Sequence, residues 1–313
     1  MSKILIVDPT DYRHSVQSVL LAEGYKTETC TTAFDAIAKI EAEDISLIIS
    51  EIDLPGDNSF EFYYYLQKNY PFLPIIMLTD RNMEDFFDKI FTEGIGNIIS
   101  KPVNGEELIS LAKKLMLQED LFNLDNYIQK IKVLKKIRIT ASNQIIPAIR
   151  TVTDYINEWN FKISDISMLN LILNEMLINA VYHAHGLTEE KLKRLPVSLE
   201  EGKFVDVCFG HSDSKLGISI TDYNGKLSKQ KILESMFNVL AQRKKLDDAI
   251  EKGEDISQII TETGRGIDLV RQIASEFYFI IHKNKRTEII LLFDKNSDLN
   301  GVAKSSLKII EKK

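Results

Sequence analysis

Five short apolar runs, each followed by a stretch of helical periodicity, divide the first 120 residues of the chain. The runs are KILIV (3–7), YKTETC (25–30), SLIIS (46–50), PIIMLT (74–79) and NIIS (97–100). The helical patterns lie near 11–22, 33–42, 59–69, 83–93 and 105–117. Strands that alternate with helices form a parallel sheet covered by helices on both faces. We therefore predict an α/β doubly wound parallel sheet over residues 1–120.

Polar residues stand where four of these strands end, namely Asp8, Glu51, Thr79 and Lys101. In open parallel sheets the functional site lies beyond the carboxyl ends of the strands, so these side chains should share one rim. Carboxylates can hold Mg²⁺, while a lysine and a threonine can contact phosphoryl oxygens. The pattern therefore predicts a site of the kind that supports metal-assisted phosphoryl transfer to a carboxylate.

The segments KILIVD, LIISEIDLPG, PIIMLTD and IISKP resemble the receiver domain of two-component response regulators over about residues 1–120. The resemblance implies a flavodoxin-like fold with five parallel strands flanked by five helices. Two positions depart from the family pattern. Asp8 is followed by Pro9 instead of a second acid, and Glu51 stands where the family has its phosphoacceptor aspartate. Asp53 lies past the strand and is a poor substitute. We expect a pseudo-receiver in which Glu51 pairs with Lys101 and holds one permanent state.

Apolar residues at near-heptad spacing follow the last of these helices: Leu117, Leu121, Leu124, Ile128, Ile131 and Leu134. This spacing predicts a linker helix over 121–134 that continues the preceding helix. The apolar stripe can form the contact of a homodimer or pack on its own domain, and the spacing leaves both open.

A second domain is predicted over residues 135–295, with a polar tail at 296–313. Strands are expected at 135–141, 204–209 and 216–222, with a hairpin at 276–293. Helical patterns cover 144–159, 164–185, 227–263 and 265–275. Helices combined with an antiparallel sheet indicate an α+β two-layer domain.

The helix predicted within LNLILNEMLINAVYHAHG (169–186) has two different faces. Its polar face carries Glu175, Asn179, Tyr182 and His183. Its apolar face carries Leu173, Met176, Leu177, Ala180 and Ala184. An asparagine one turn from a glutamate can hold Mg²⁺ while the glutamate activates a nucleophile. Taken alone, this spacing is equally typical of a solvated helix face.

Two further motifs follow in order. The stretch ISITDYNGKL (218–227) ends a strand in Asp222, with Gly225 three residues later. TETGRGIDLVRQIA (261–274) places Gly264 and Gly266 before a helix. Glycines let backbone amides approach phosphates, and a helix N-terminus favours an anion.

This order of motifs resembles the Bergerat-type (GHKL) ATP-binding domain of histidine kinases, Hsp90-type and gyrase-type ATPases, most closely the anti-sigma-factor serine kinases. The resemblance implies ATP and Mg²⁺ as cofactors, Glu175 as the general base and Asn179 as the Mg²⁺ ligand. The other nucleotide-binding positions that it implies are His183, Asp222, Gly225, Gly264, Arg265 and Gly266. Two departures are Asn224, which replaces a glycine of the family, and a polar insert over about 187–203.

Three functions are compatible with these motifs. The first is a serine/threonine protein kinase that phosphorylates a small antagonist protein and binds a sigma factor. The second is a nucleotide-binding regulatory protein without phosphotransfer. The third is a kinase acting on a histidine phosphotransfer protein in trans, because the chain has no histidine between His14 and His183 to serve as its own acceptor. We expect the first.

Charge and composition narrow the partners. A net charge of -7 argues against nucleic acid and an anionic membrane surface as ligands. Two cysteines, Cys30 and Cys208, indicate neither a disulfide framework nor a metal cluster. The chain opens directly on a strand pattern, so we expect a cytoplasmic protein with no membrane segment.

Overall fold

The computed structural model describes residues 3–55, 59–252, 265–295 and 306–312. The chain divides into two compact units. The first comprises Met1–Asp120 together with Ser305–Lys308, and the second comprises Leu121–Lys304 together with Ile309–Lys313.

The first unit contains a parallel sheet built from the five apolar runs. Its strands are β1 (Lys3–Val7), β2 (Thr27–Cys30), β3 (Ile45–Glu51), β4 (Ile75–Thr79) and β5 (Asn97–Ser100). They lie in the order β2-β1-β3-β4-β5 and pair in parallel. Ile6, Ile49 and Ile76 occupy neighbouring positions across the sheet and are all fully buried. The runs are apolar throughout because helices cover both faces of the central strands.

The helices of the first unit follow the predicted ranges. They are α1 (Tyr12–Ala22), α2 (Ala33–Ala42), α3 (Ser59–Asn69), α4 (Phe87–Glu93) and α5 (Gly105–Leu117), with a 3₁₀ turn at Met83–Phe86. Thr32 and Asn104 cap α2 and α5 by accepting backbone N–H groups of the first turn. Gly94 ends α4 at a φ of 67°, in the left-handed region that favours glycine. The doubly wound α/β fold predicted for this region is confirmed.

A strand near the C-terminus extends this sheet by two residues. Leu307 and Lys308 pair antiparallel with Ile98 and Asn97 of β5. The Lys308 side chain is buried and forms an ion pair with Glu107 of α5. Residues 306–312 of the predicted polar tail are therefore structured and partly buried, whereas 296–305 lie outside the described residues.

The second unit is a two-layer α+β structure. Its strands are β6 (Val133–Ile139), β7 (Val205–His211), β8 (Lys215–Asp222), β9 (Glu276–His282) and β10 (Arg286–Asp294). They form an antiparallel sheet in the order β9-β10-β8-β7-β6. The last strand of the chain, β11 (Leu307–Glu311), contributes Ile309–Glu311, which pair in parallel with β9.

The helices of this unit supply the second layer. They are α6 (Ile145–Glu158), α7 (Ile166–Ile178), α8 (Thr188–Leu192), α9 (Lys229–Lys252) and α10 (Arg265–Ile273). Helix α7 lies between α6 and α10 and buries Leu169, Ile172, Leu173, Met176 and Leu177. One turn of π-helix, Asn179–His183, continues α7.

The predicted linker helix does not form. Helix α5 ends at Leu117, and the non-glycine residues Gln118, Asp120 and Asn123 all adopt positive φ, which a right-handed helix excludes. The next residues pack on their own unit. A Cβ on Gly217 of β8 would lie 2.6 Å from the Ile128 side chain and 2.7 Å from that of Leu124. The apolar spacing therefore serves internal packing, since Leu121, Leu124 and Ile128 are buried.

Candidate functional site

The rim of the first unit brings together the residues at its strand ends. Asp8 follows β1, Glu51 ends β3 and Lys101 follows β5. Lys101 Nζ lies 2.9 Å from Asp8 Oδ2 and forms a second ion pair with Glu51 Oε2. The side chains of Lys101, Asp8 and Glu51 are only 12%, 1% and 6% exposed. We call these three residues the rim cluster.

Lys101 remains cationic within the rim cluster. Burial alone lowers the pKa of an ammonium group, but hydrogen bonds to Glu51 and Asp8 outweigh burial and raise the pKa of Lys101 above its usual value. The ammonium also lies 4.6 Å from the centre of the Tyr12 ring. One positive charge is thus enclosed by two negative charges and an aromatic face.

The remaining oxygens of the two acids are also occupied. Glu51 Oε1 accepts the backbone N–H groups of Ile52 at 2.8 Å and Asp53 at 3.2 Å. Asp8 Oδ1 accepts both the backbone N–H and the hydroxyl of Thr10, at 2.7 and 2.6 Å. A Mg²⁺ ion would have to displace these donors or the ammonium. With these contacts the rim cluster does not fit the Mg²⁺ that the strand-end residues predicted.

Thr79 and Asp53 have other partners. Thr79 is fully buried at the end of β4, and its hydroxyl accepts the backbone N–H of Arg81 at 3.0 Å. Asp53 is 54% exposed and pairs with the Arg81 guanidinium at 3.0 Å. Thr79 therefore stands at the predicted strand end while its hydroxyl holds the following loop.

The second unit contains a cavity of about 480 Å³. Its walls come from α7 with its π turn, α8, the end of β8, the start of α9 and β10. Four residues predicted from the sequence line it: Glu175, Asn179, His183 and Asp222. Apolar surface comes from Met176, Ile220 and Ile289. This volume and mixed lining are typical of small-ligand sites.

The π turn determines which side chains of this segment reach the cavity. Ala184 N donates to Asn179 O, five residues back, at 3.0 Å. Asn179 and His183 line the cavity, whereas Tyr182 is buried and donates its hydroxyl to the carbonyl of Leu195 at 2.9 Å. The prediction that Tyr182 shares the polar face is therefore wrong. π turns occur frequently at functional sites because they change the direction of side chains within a helix.

Asp222 ends β8 and is held by the turn that follows it. Its Oδ1 accepts the backbone N–H groups of Asn224 at 3.0 Å and Gly225 at 2.9 Å. Gly225 has a φ of 57°, and a Cβ there would lie 2.4 Å from the carbonyl oxygen of His282. Asn224 contacts His185 through its side chain at 3.0 Å. Burial raises the pKa of Asp222 above its usual value, against the opposing effect of the two amides.

Three lysines that the sequence analysis missed line the same cavity: Lys191, Lys226 and Lys231. Lys191 lies on α8, within the insert that the family comparison marked as a departure. Its Nζ lies 3.3 Å from Asn179 Oδ1 and 2.9 Å from His183 Nε2. Lys226 directly follows Gly225 in the D-Y-N-G-K stretch. Lys226 therefore belongs to a motif already identified, whereas Lys191 and Lys231 reach the cavity only through tertiary contacts, so no local motif identifies those two.

The predicted glycine motif falls at the edge of the described structure. Gly264 lies outside the described residues. Arg265 and Gly266 form the first positions of α10.

The Mg²⁺ site implied at Asn179 does not fit the observed contacts. Asn179 Oδ1 accepts from the Lys191 ammonium, which stands where a divalent cation would have to bind that oxygen. No role in this cavity is therefore assigned to a metal.

Comparison with known proteins identifies the first unit. Residues 4–113 match the model of the response regulator receiver domain. The chain is 31% identical over 183 residues to the probable transcriptional regulator ycf29 of Cyanophora paradoxa, an alignment that covers 56% of this chain and 79% of that protein. The chain belongs to the response regulator receiver family.

A further relative is also named as a response regulator. The heme response regulator HssR of Staphylococcus haemolyticus is 27% identical over 154 residues, which cover 47% of this chain and 67% of that protein. Among solved structures, the chemotaxis response regulator CheY4 of Vibrio cholerae is 30% identical, with a TM-score of 0.34, and covers 37% of this chain and 98% of its own.

These relatives overturn the expected activity. They are named as response regulators and transcriptional regulators, and this finding contradicts the expectation of an anti-sigma-type serine/threonine kinase. The expected enzyme class, an ATP-dependent GHKL-type protein kinase, is wrong for the same reason. Within the part of the chain that the structure describes, no helix combines the length and apolar character needed to cross a membrane.

Proposed function

We propose that the protein is a two-component response regulator with two specialised parts. Its receiver unit is a pseudo-receiver, held in one state by the rim cluster instead of being switched by phosphorylation. Its second unit is a Bergerat-type module that binds an adenine nucleotide as a ligand. The output of the protein is control of transcription, as the names of its relatives state for those proteins.

The observation that carries the first part is the enclosed ammonium of Lys101. Glu51 takes the position that the family resemblance assigns to the phosphoacceptor, and one of its oxygens is paired with Lys101 while the other accepts two amides. A carboxylate whose oxygens are engaged in this way is a weak nucleophile. Removing it from Lys101 would also leave buried charges without partners, which costs several kcal/mol.

Incubation with a small phosphodonor and Mg²⁺, followed by intact mass measurement, tests this part. We expect no phosphate adduct on the wild-type protein. The Glu51→Asp variant provides a matched comparison, because the shorter side chain withdraws from Lys101. An adduct on the wild-type chain that maps to Glu51 or Asp53 would overturn the pseudo-receiver proposal.

The composition of the cavity supports the second part. A buried carboxylate, Asp222, can accept a hydrogen bond from an exocyclic amino group, and apolar side chains can cover a flat base. Lysines line the same cavity and can neutralise phosphates. Calorimetric titration of the full-length protein with ATP should give saturable binding at one site per chain. A guanine nucleotide, which lacks the amino group at that position, should bind at least about tenfold more weakly, as expected when a buried acceptor is left unpaired.

For the output, we propose a protein partner instead of direct DNA binding. The net charge of -7 disfavours the phosphate contacts that supply most non-specific DNA affinity. Anisotropy of a labelled DNA duplex should therefore show no binding at physiological salt. Binding whose affinity falls steeply with rising salt concentration would contradict this proposal.

A further inference from the structure

The contacts of Lys191 determine how the proposed nucleotide site can carry charge. Lys191 is half-buried on α8, and its ammonium contacts the side chains of Asn179 and His183. An ammonium group can only donate hydrogen bonds, so His183 Nε2 must accept. The other ring nitrogen, Nδ1, then carries the proton and donates to Thr188 Oγ1 at 3.2 Å. Burial and the nearby cations Lys191 and Lys231 lower the pKa of His183, in agreement with a neutral ring.

Both of these contacts join the ammonium to neutral groups. An amide oxygen and a neutral imidazole orient Lys191 without cancelling its charge, so that charge is available to a ligand in the cavity. Lys226 and Lys231 line the same cavity. Two acids also line the cavity, Glu175 and Asp222. Asp222 directs one oxygen at the backbone amides of its own turn. The cavity therefore combines an excess of ammonium groups with the acceptor that an adenine base requires.

We propose that Lys191 is a built-in cation which replaces the divalent metal, so that the cavity binds the polyphosphate of a nucleoside di- or triphosphate without Mg²⁺. This inference rests on the proposed nucleotide-binding function. It specifies that the ligand is the free nucleotide and not its Mg²⁺ complex. Its structural basis is the position of the ammonium on Asn179 Oδ1, the oxygen that a metal ion would otherwise bind. A lysine acts as a point charge and suits phosphate oxygens in this role.

Titration of the full-length protein with ATP, once in excess EDTA and once in excess Mg²⁺, tests the inference. We expect wild-type dissociation constants within about threefold of each other, because no metal contact is lost when Mg²⁺ is removed. Lys191→Met should weaken binding in EDTA by at least about tenfold, as expected for the loss of one charge-assisted contact. Mg²⁺ should restore part of that loss in Lys191→Met, since Asn179 Oδ1 is then accessible to the metal.

Control variants separate charge from structure. Lys191→Arg keeps the charge and should bind ATP in EDTA within a few-fold of wild type. Lys193 lies in the same segment, pairs with Glu189 and has a side chain that is 65% exposed. The control variant Lys193→Met should therefore leave ATP binding unchanged in both EDTA and Mg²⁺. The fluorescence of Trp159, the single tryptophan, confirms that each variant is folded.

The outcomes distinguish the two proposals. Binding in Mg²⁺ but not in EDTA would overturn the role of Lys191 while leaving nucleotide binding intact. Equal binding of wild type and Lys191→Met in EDTA would also overturn it. Absence of binding by the wild-type protein under both conditions would refute the nucleotide site itself.

Discussion

The rim of the first unit and the cavity of the second each contain a lysine next to polar side chains, but the two ammonium groups have opposite surroundings. Lys101 is enclosed by two carboxylates and is nearly inaccessible. Lys191 contacts an amide and an imidazole and lines a cavity. The Lys101 charge is neutralised by the carboxylates of its own cluster, whereas the Lys191 charge is left to interact with a ligand. A lysine at a predicted site therefore indicates function only when the charges around it are known.

The largest effect is expected from removing the enclosed cation. Lys101→Met leaves Asp8 and Glu51 buried without their counter-charge, which should destabilise the first unit by about 3–5 kcal/mol. Hydrogen exchange of the β1 and β3 amides measures this loss, and Trp159 fluorescence follows the second unit in the same samples. Lys113→Met, at an exposed position of α5, is the matched control and should change stability by less than about 0.5 kcal/mol. A stability of Lys101→Met equal to that of the control would show that the rim cluster is not structural.

A second enclosed cluster, in the second unit, tests whether enclosed charges stabilise the fold in both units or only in the first. Asp206 of β7 is 1% exposed and accepts from Lys136 at 2.6 Å, Arg138 at 3.1 Å and the Tyr223 hydroxyl at 2.7 Å. Asp206→Asn should cost about 1.5–3 kcal/mol, the usual range for hydrogen bonds to a charged group. Urea unfolding followed by Trp159 fluorescence measures this cost. A negligible loss would show that the Asp206 cluster, unlike the rim cluster, does not stabilise its unit.

The same aspartate makes a prediction for pH. Burial by itself raises the pKa of Asp206, but the hydrogen bonds from Arg138, Lys136 and Tyr223 prevail and lower it below 3.8, its usual value. The stabilisation is therefore complete above that usual value and is lost as pH falls through the lower pKa of the folded state. The difference in stability between wild type and Asp206→Asn should shrink below about pH 4.

The smallest effect on stability, with the opposite sign, is expected in the cavity. Burial raises the Asp222 pKa, which means that its ionised form is disfavoured in the folded protein. Asp222→Asn should stabilise the second unit by about 0.5–2 kcal/mol, as is common when a functional site is neutralised, while ATP binding is lost. Because the folded-state pKa is raised, the gain should be present at neutral pH and vanish as pH falls toward the usual pKa of aspartate. A destabilised variant with unchanged ATP affinity would assign Asp222 a structural role.

The parts of the fold that could be predicted from sequence are those determined by local pattern. Strands β1, β3 and β4 are continuous apolar runs, which buried parallel strands require, and their ends locate Glu51 and Lys101. The prediction of a helix after α5 was wrong because Gln118 and Asn123 adopt positive φ, and no glycine in the sequence indicates that conformation. Its apolar spacing suits a coiled coil and packing on Gly217 equally well.

The candidate site shows the same division. Asn179, His183 and Asp222 could be identified because each belongs to a motif within one element. Lys191 could not, because its contacts with Asn179 and His183 span 12 and 8 residues and depend on how the insert folds back. Tyr182 was assigned to the wrong face because regular helical periodicity does not anticipate a π turn.

That π turn has a consequence for helical phase. One additional residue in a helix of 3.6 residues per turn rotates everything that follows by about 100° about the axis. Deleting a single residue between Asn179 and His183 would reverse this rotation and redirect the segment that leads to Lys191. The cavity is therefore sensitive to the length of this segment, and a one-residue gap there in an alignment would separate relatives that keep this cation from those that do not.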